Sequence, residues 1–491
     1  MEKNKKQALI LSIVAVATLI ALVVGATYAY FQAQGGTGKS TEVKVTTYTT
    51  DMLTFTTGSA IGLYADQSSF GQEKGSLSGE TFAKATLVAN NKTNEATDNY
   101  YVYFNIENNT FKYTLGEDKP ELILTVTGPD GNEVTEIFGL THKVVQDREN
   151  KSISGFDVTT TNGIVTIANK KTITATPNAE EQYTLKLTFV NYEGDQTANA
   201  TSSLSAKVMI QKEMIPFHET CNDNTLACHT AKLYTGTQGE NSIYYHDATL
   251  TNGANDNSYR FAGASDAVNN YVCFESTTPC PEDNLYRIIG VFGDKVKLIK
   301  STSVGNKAWD SNNNRNTWST SSLNTYLNNE LINTFDETTK GKIAETTWKV
   351  GGNTYANIAN QPVKTAYQNE VVQPNPGTTS NGETEDNKKI GLMYASDYGF
   401  AAAKSAWTAN LNTYNGEAIK SANWMYLGAN EWTISRSADS SHNAFGVYNA
   451  GDVYSRSVGA NAFAVRPVFY LTSSVAYVEG DGTQNSPIHV N

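Results

Sequence analysis

Residues 8–31 carry no charged side chain. About 20 apolar helical residues suffice to cross the hydrocarbon core of a bilayer, and this run holds about 24. Leu, Ile, Val and Ala dominate it as far as Gly25. A helix is the element that satisfies its own backbone hydrogen bonds in lipid. Lys3, Lys5 and Lys6 stand before the run, so its N-terminus is expected in the cytoplasm and everything after Phe31 outside the cell. A buried core helix is the poorer reading, because such helices keep a polar face. Thr27-Tyr28-Ala29 ends in a small residue and offers a signal-peptidase site. Residues 1–39 are therefore read as a membrane segment with its linker, serving either as a cleaved signal or as a retained anchor.

Gly36-Thr37-Gly38-Lys39-Ser40 looks like the end of a phosphate-binding loop, but Ala33 stands where that loop needs its first glycine. A membrane segment precedes it instead of a buried strand, so a flexible linker is the better reading. At 491 residues the chain is too long for one ordinary core. Its net charge is −12, and the exported part has no basic block, which argues against nucleic acid as a partner. Only 18% of residues are charged, leaving Asn, Thr, Ser, Gly and Tyr to cover the surface. That composition favours strands over a helical bundle.

Residues 40–215 read as a β-sandwich stalk. Val43, Val45 and Thr47 alternate with their neighbours over residues 42–48, and residues 100–106 are aromatic and β-branched. Residues 122–127 end at Gly128-Pro129-Asp130-Gly131, a strong turn signal, and further strands are expected at 163–167, 183–190 and 204–210. Short strands without a helical period imply an antiparallel sandwich. Residues 216–282 read as a connector holding all four cysteines, Cys221, Cys228, Cys273 and Cys280. Their two equal spacings favour local disulfides, Cys221–Cys228 and Cys273–Cys280, in an oxidising compartment. The spacing is wide for zinc, but His218 and His229 flank the first pair and leave a Cys/His zinc site as an alternative.

Residues 283–491 mix strands with short helices. A hairpin is expected at 284–300 around Gly293-Asp294, and helices at 321–332 and 396–403. Trp318, Leu323, Tyr326-Leu327-Asn328, Trp348, Gly391-Leu392-Met393-Tyr394-Ala395-Ser396-Asp397-Tyr398, Asn423-Trp424, Glu431-Trp432 and Val465-Arg466-Pro467 follow one another in order. This order resembles an uncharacterised domain of bacterial surface proteins whose relatives are the formylglycine-generating-enzyme-like branch of the C-type-lectin-like fold. The resemblance implies that Trp318, Trp424, Trp432 and Arg466 are scaffold. The stretch Gly25-Ala26-Thr27-Tyr28-Ala29-Tyr30-Phe31 is similar to the signal region of camelysin and TasA-like proteins of Gram-positive bacteria, and residues 40–215 loosely resemble their sandwich. The expected fold class is mainly β with a smaller α+β part: membrane helix, β-sandwich, then a C-type-lectin-like α+β domain.

That resemblance brings an oxidase chemistry whose residues are missing. Its cysteine pair has no counterpart after Cys280, and the three histidines of the iron-dependent cousins are not assembled from His442 and His489. A G-x-S-x-G nucleophile elbow is lacking as well. Asp397, Glu431, Asp439 and Asp452 leave a glycan-active enzyme as a second alternative without a spacing rule to fix it. The expectation is no enzyme, no cofactor and no metal site. Calcium through Asp439, Asn443 and Asp452 stays an open question, since no Glu-Pro-Asn motif is present. Residues 436–461 mix small polar residues with aromatics and arginines, a composition suited to adaptable recognition. Arg436, Asn443, Tyr448, Tyr454 and Arg456 are the candidate ligand-binding residues, for an extracellular glycan or protein. The leading function is an adhesin-like cell-surface binding protein, with self-assembly into a fibre or matrix as the alternative. Ser486-Pro487-Ile488-His489-Val490-Asn491 has no LPxTG motif, so sortase anchoring is not expected.

Overall fold

A computed structural model of the chain describes residues 50–491, apart from 67–68, 71–74, 91, 138–139, 222–223, 275–278, 313 and 378–381. The apolar run at 8–31 and the strand expected at 42–48 lie outside the described residues. Among the described residues no helix is long and apolar enough to cross a membrane. The protein is mainly β and divides between Ile215 and Pro216 into two compact units.

The first unit contains β1 (Met52–Thr57), β2 (Ile61–Tyr64), β3 (Leu77–Val88), β4 (Ala96–Asn109), β5 (Leu122–Thr127), β6 (His142–Gln146), β7 (Ser152–Asp157), β8 (Gly163–Ala175), β9 (Asn178–Phe189) and β10 (Ser203–Gln211). Period-two patterning decides which face each strand buries. In β10, Leu204, Ala206, Val208 and Ile210 are buried and their neighbours half-buried; β3 does the same with Thr81, Ala83, Ala85 and Leu87. One sheet runs β1-β3-β9-β5-β7-β6 and the other β2-β10-β4-β8, with antiparallel pairing throughout. Leu87, Leu124, Leu185 and Leu187 from the first sheet share a core with Val102, Phe104, Ile106 and Leu204 from the second. This is the sandwich that the alternation implies. The turn after β5 closes with Gly131 N donating to Gly128 O at 3.0 Å, and Gly131 takes φ +79°, where a side chain would be strained.

In the second unit, the hairpin Leu285–Phe292 and Lys295–Lys300 forms the middle of a nine-stranded sheet. From one end the order is Ile390–Gly391, Val468–Tyr470, Lys295–Lys300, Leu285–Phe292, Tyr271–Cys273, Ile488–Val490 and Tyr477–Glu479. Tyr259–Phe261 also pairs with the hairpin and carries Ile243–Tyr245 on its other edge. Residues 216–282, read from sequence as a connector, thus supply strands to this sheet. Leu226, Ile243, Phe261 and Val272 enter the same core as Leu298 and Phe469. A second, six-stranded sheet contains Glu431–Ser437, Asn443–Val447 and Val453–Ser457, with Gly352–Asn353 parallel to the first of them.

The helix expected at 321–332 forms as Ser322–Thr325, continues through a π turn at Tyr326–Glu330 and tightens at Leu331–Thr334. The Ser321 hydroxyl caps it by accepting from Asn324 N. The later helix spans Ala395–Ala401. Trp318, Trp424 and Trp432 are buried, each in the core.

Both local disulfides are present, Cys221–Cys228 and Cys273–Cys280, and no cysteine is free. The zinc alternative is thereby corrected, because the sulfurs are bonded to each other. His218 instead pairs its Nδ1 with the Tyr259 hydroxyl at 2.7 Å, and His229 stacks on Tyr477 with centroids 3.7 Å apart. Closed disulfides fit an oxidising, extracellular setting.

Candidate functional site

Val453–Ser457 ends the six-stranded sheet among the described residues and pairs only with Asn443–Val447. Alternation turns Val453 into the core and leaves Tyr454 and Arg456 exposed on the other face. Tyr454 faces Gly446 across the pair and Arg456 faces Ala444, so small neighbours leave room beside both. Tyr448, just past the end of the strand, packs edge-on against Phe463 at 5.5 Å and Tyr454 at 6.1 Å. Tyr355 opens the helix Tyr355–Asn360 and meets Tyr454 edge-on at 5.0 Å. Tyr355 is 39% exposed and Tyr454 41%, which is high for rings in mutual contact. Aromatic faces beside an arginine present stacking surface and a fixed positive charge to one ligand.

The five expected binding residues do not all belong to this face. Tyr448, Tyr454 and Arg456 do. Asn443 is half-buried at the start of its strand, and its carbonyl accepts from Asn316 Nδ2 at 2.9 Å. Arg436 is a correction. It is 1% exposed, and its guanidinium donates to the carbonyls of Val350 at 2.8 Å, Pro376 at 2.8 Å and Glu383 at 2.5 Å. Those carbonyls replace its hydration, so Arg436 ties loops together and is inaccessible to a ligand. Asp439 accepts from the Ser437 hydroxyl at 2.6 Å and from Tyr355 N at 3.1 Å, a structural use of both oxygens. Among the described residues no three His, Cys, Asp or Glu side chains cluster as a metal site would require. Tyr355 was not legible as a partner, because its strand neighbours lie about a hundred positions further along the chain, a pairing that only tertiary structure creates.

The second unit also holds a polar network largely shut off from solvent. Arg260 donates to Asp256 Oδ2 at 2.6 Å, to the Ser258 hydroxyl at 2.8 Å and to Asp397 Oδ1 at 3.4 Å. The Tyr367 hydroxyl donates to Asp256 at 2.6 Å, and Lys297 Nζ donates to Asp397 Oδ2 at 2.5 Å. Asp397 also accepts from Tyr394 N at 2.9 Å, which fixes it at the start of the Ala395–Ala401 helix. Glu370 sits in the π turn Gln368–Val372 and accepts from the Ser435 hydroxyl at 2.6 Å, Asn353 Nδ2 at 3.0 Å and Ser396 N at 3.1 Å. Burial pushes its carboxyl up to about 7 against the pull of these donors. His246 accepts from Ala254 N at 3.0 Å, and burial holds its imidazole well below the ordinary value. A second buried pair joins Arg466 to Glu431 through bonds of 2.6 and 2.8 Å. Asp397 and Glu431, two carboxylates named for a glycan-active enzyme, are both engaged in these pairs.

Residues 293–473 match a family described as a domain of unknown function, DUF6273. No curated protein and no solved structure matches the chain. The DUF6273 stretch covers less than half of the chain. It contains Tyr355, Tyr448, Tyr454 and Arg456, together with Lys297, Glu370 and Asp397. Asp256 and Arg260 lie ahead of it, so the polar network joins DUF6273 to residues from the disulfide-bearing stretch.

Proposed function

We propose that this protein is an adhesin-like binding protein of a bacterial cell surface. The first unit serves as a β-sandwich stalk, and the second is a C-type-lectin-like domain that engages an extracellular glycan or protein. Residues 8–31 carry the chain to the membrane as signal or anchor. The observation that carries the reading is the exposed pair Tyr355 and Tyr454, backed by the half-buried Tyr448, with Arg456 on the same strand face. Exposed aromatics in contact with each other, next to an arginine, are the composition of binding hot spots. The absence of the oxidase cysteines after Cys280 supports binding over catalysis.

Changing Tyr355, Tyr454 and Arg456 together to Ala tests it. Binding to glycan and host-protein arrays should fall about tenfold or more, because losing two or three anchors removes at least ~1.4 kcal/mol. The melting temperature should stay close to that of the parent. Unchanged binding would remove this face from consideration. Protease treatment of intact cells should also degrade the β-rich body; full protection would reject the surface location.

A fibre or matrix subunit is the second reading. It draws on β6, which ends its sheet among the described residues and exposes Val144 there. Open strand edges invite pairing with another chain. Negative-stain microscopy of purified protein separates the two: filaments favour assembly, and discrete particles favour the binder.

A further inference from the structure

We infer that Lys297 and Asp397 condense into an amide, a covalent crosslink between the central hairpin and the Ala395–Ala401 helix. Four buried pairs bear on this: Arg260–Asp256, Arg260–Asp397, Arg466–Glu431 and Lys297–Asp397. Three of them use a guanidinium, which is a poor nucleophile because its lone pairs are delocalised. Lys297–Asp397 alone sets a primary amine against a carboxyl group, with Nζ 2.5 Å from Oδ2 and the side chains 1% and 2% exposed. The carbon to be attacked is one bond beyond that oxygen. Both groups are held before any reaction, Lys297 on a central strand and Asp397 by Tyr394 N and Arg260.

The surroundings favour the covalent state. Nζ lies 4.4 Å from the ring centre of Tyr394, 5.4 Å from Tyr470, and 5.5 Å from both Trp348 and Phe292. In water, hydration of the two ions opposes amide formation. Inside this aromatic cage that hydration is lost, so the neutral amide gains relative to the ion pair. Burial also lowers the basicity of Lys297, although Asp397 opposes it, and this raises the share of free amine.

The step balances without a co-reactant. The ammonium first gives a proton to Oδ2, leaving an amine and a carboxylic acid. Nζ then swings from the edge of the carboxyl group to its face and attacks Cγ. Arg260, 3.4 Å from Oδ1, stabilises the charge that builds on that oxygen. The tetrahedral carbon loses Oδ2 as water, carrying two of the three ammonium protons, and the third remains on the amide nitrogen. One C–N bond forms and one C–O bond breaks.

Peptide mapping of the reduced full-length chain tests the inference directly. Trypsin should fail to cut after Lys297, and a branched peptide containing Lys297 and Asp397 should appear, lighter than its two arms by one water. Fragment-ion sequencing then reads both arms. Asp397→Asn should still crosslink, with loss of ammonia in place of water. Lys297→Arg keeps the charge but cannot form the amide, and should yield two separate linear peptides of full mass. Linear, unmodified peptides from folded parent protein would overturn the crosslink and leave an ion pair. Loss of water that persists in Lys297→Arg would overturn it too, by showing that Asp397 had cyclised on its own backbone.

Discussion

Arg456 and Arg466 experience opposite surroundings. Arg456 is exposed on an edge strand, whereas Arg466 is bound to Glu431 by two hydrogen bonds with both side chains nearly sealed from water. Arg466→Ala leaves a buried carboxylate without its partner and should cost roughly 3–5 kcal/mol in urea unfolding. Arg456→Ala should stay within about 0.5 kcal/mol. Glu370 makes a different demand. Its folded value of about 7 lies above the ordinary 4.5, mainly through burial. The folded protein therefore holds a proton that the unfolded chain has released between those two values. The associated stability is complete below pH 4.5 and is lost as pH rises through about 7. Glu370→Gln should flatten that slope, a change on the order of 3 kcal/mol across the window, read from unfolding midpoints at successive pH values. Arg436 marks where sequence reading ran out at this scale. The composition of residues 436–461 suggested a recognition loop, but Arg436 ends a strand, Glu431–Ser437, of which every residue is buried. The carbonyls that cover Arg436 come from Val350, Pro376 and Glu383, far away in sequence.

Strands and turns were the more legible level. The hairpin around Gly293-Asp294, the alternating sandwich strands and the two cysteine loops followed from local chemistry, because turn residues and period-two patterns act over a few neighbours. The pairing of Tyr259–Phe261 with Leu285–Phe292 did not, since it depends on how closely two backbones approach. Gly290 sits at that approach: a Cβ there would lie 2.2 Å from Tyr259 O. Gly290→Ala should push the two strands apart and destabilise the second unit by roughly 1–3 kcal/mol or more. Faster hydrogen exchange in residues 259–261 should accompany it. Replacing Cys221 and Cys228 by Ser together opens a short loop and should cost about 2–3 kcal/mol by the chain-entropy relation, measured with and without reductant.

Each of the two units has its own hydrophobic core. A protein containing residues 216–491 should therefore fold without the sandwich, giving near-ultraviolet circular dichroism of packed tryptophan and a cooperative melt. A protein beginning at residue 283 should not, because it lacks Tyr259–Phe261 and Tyr271–Cys273 from the central sheet. Membership of residues 216–282 in the later sheet was not legible in the sequence, because their strands are short and their outside partners, Leu285–Phe292 and Ile488–Val490, lie later in the chain. The candidate face was partly legible: Tyr448, Tyr454 and Arg456 share one local stretch, and Tyr355 joins them only through folding.

The parallel pairing of Val272 with Ile488 and Cys273 with His489 has a consequence for timing. During synthesis, the sheet cannot close around Tyr271–Cys273 until residues 488–490 have emerged. Until then its apolar flank and the nearby thiols stand open to oxidants and to other chains. Distant pairings of this kind make folding slow, since loop-closure entropy is lost before any contact compensates for it. The second unit should thus fold as a single late event, once residues 488–490 are available, and its yield should depend on thiol oxidation in the compartment where it folds.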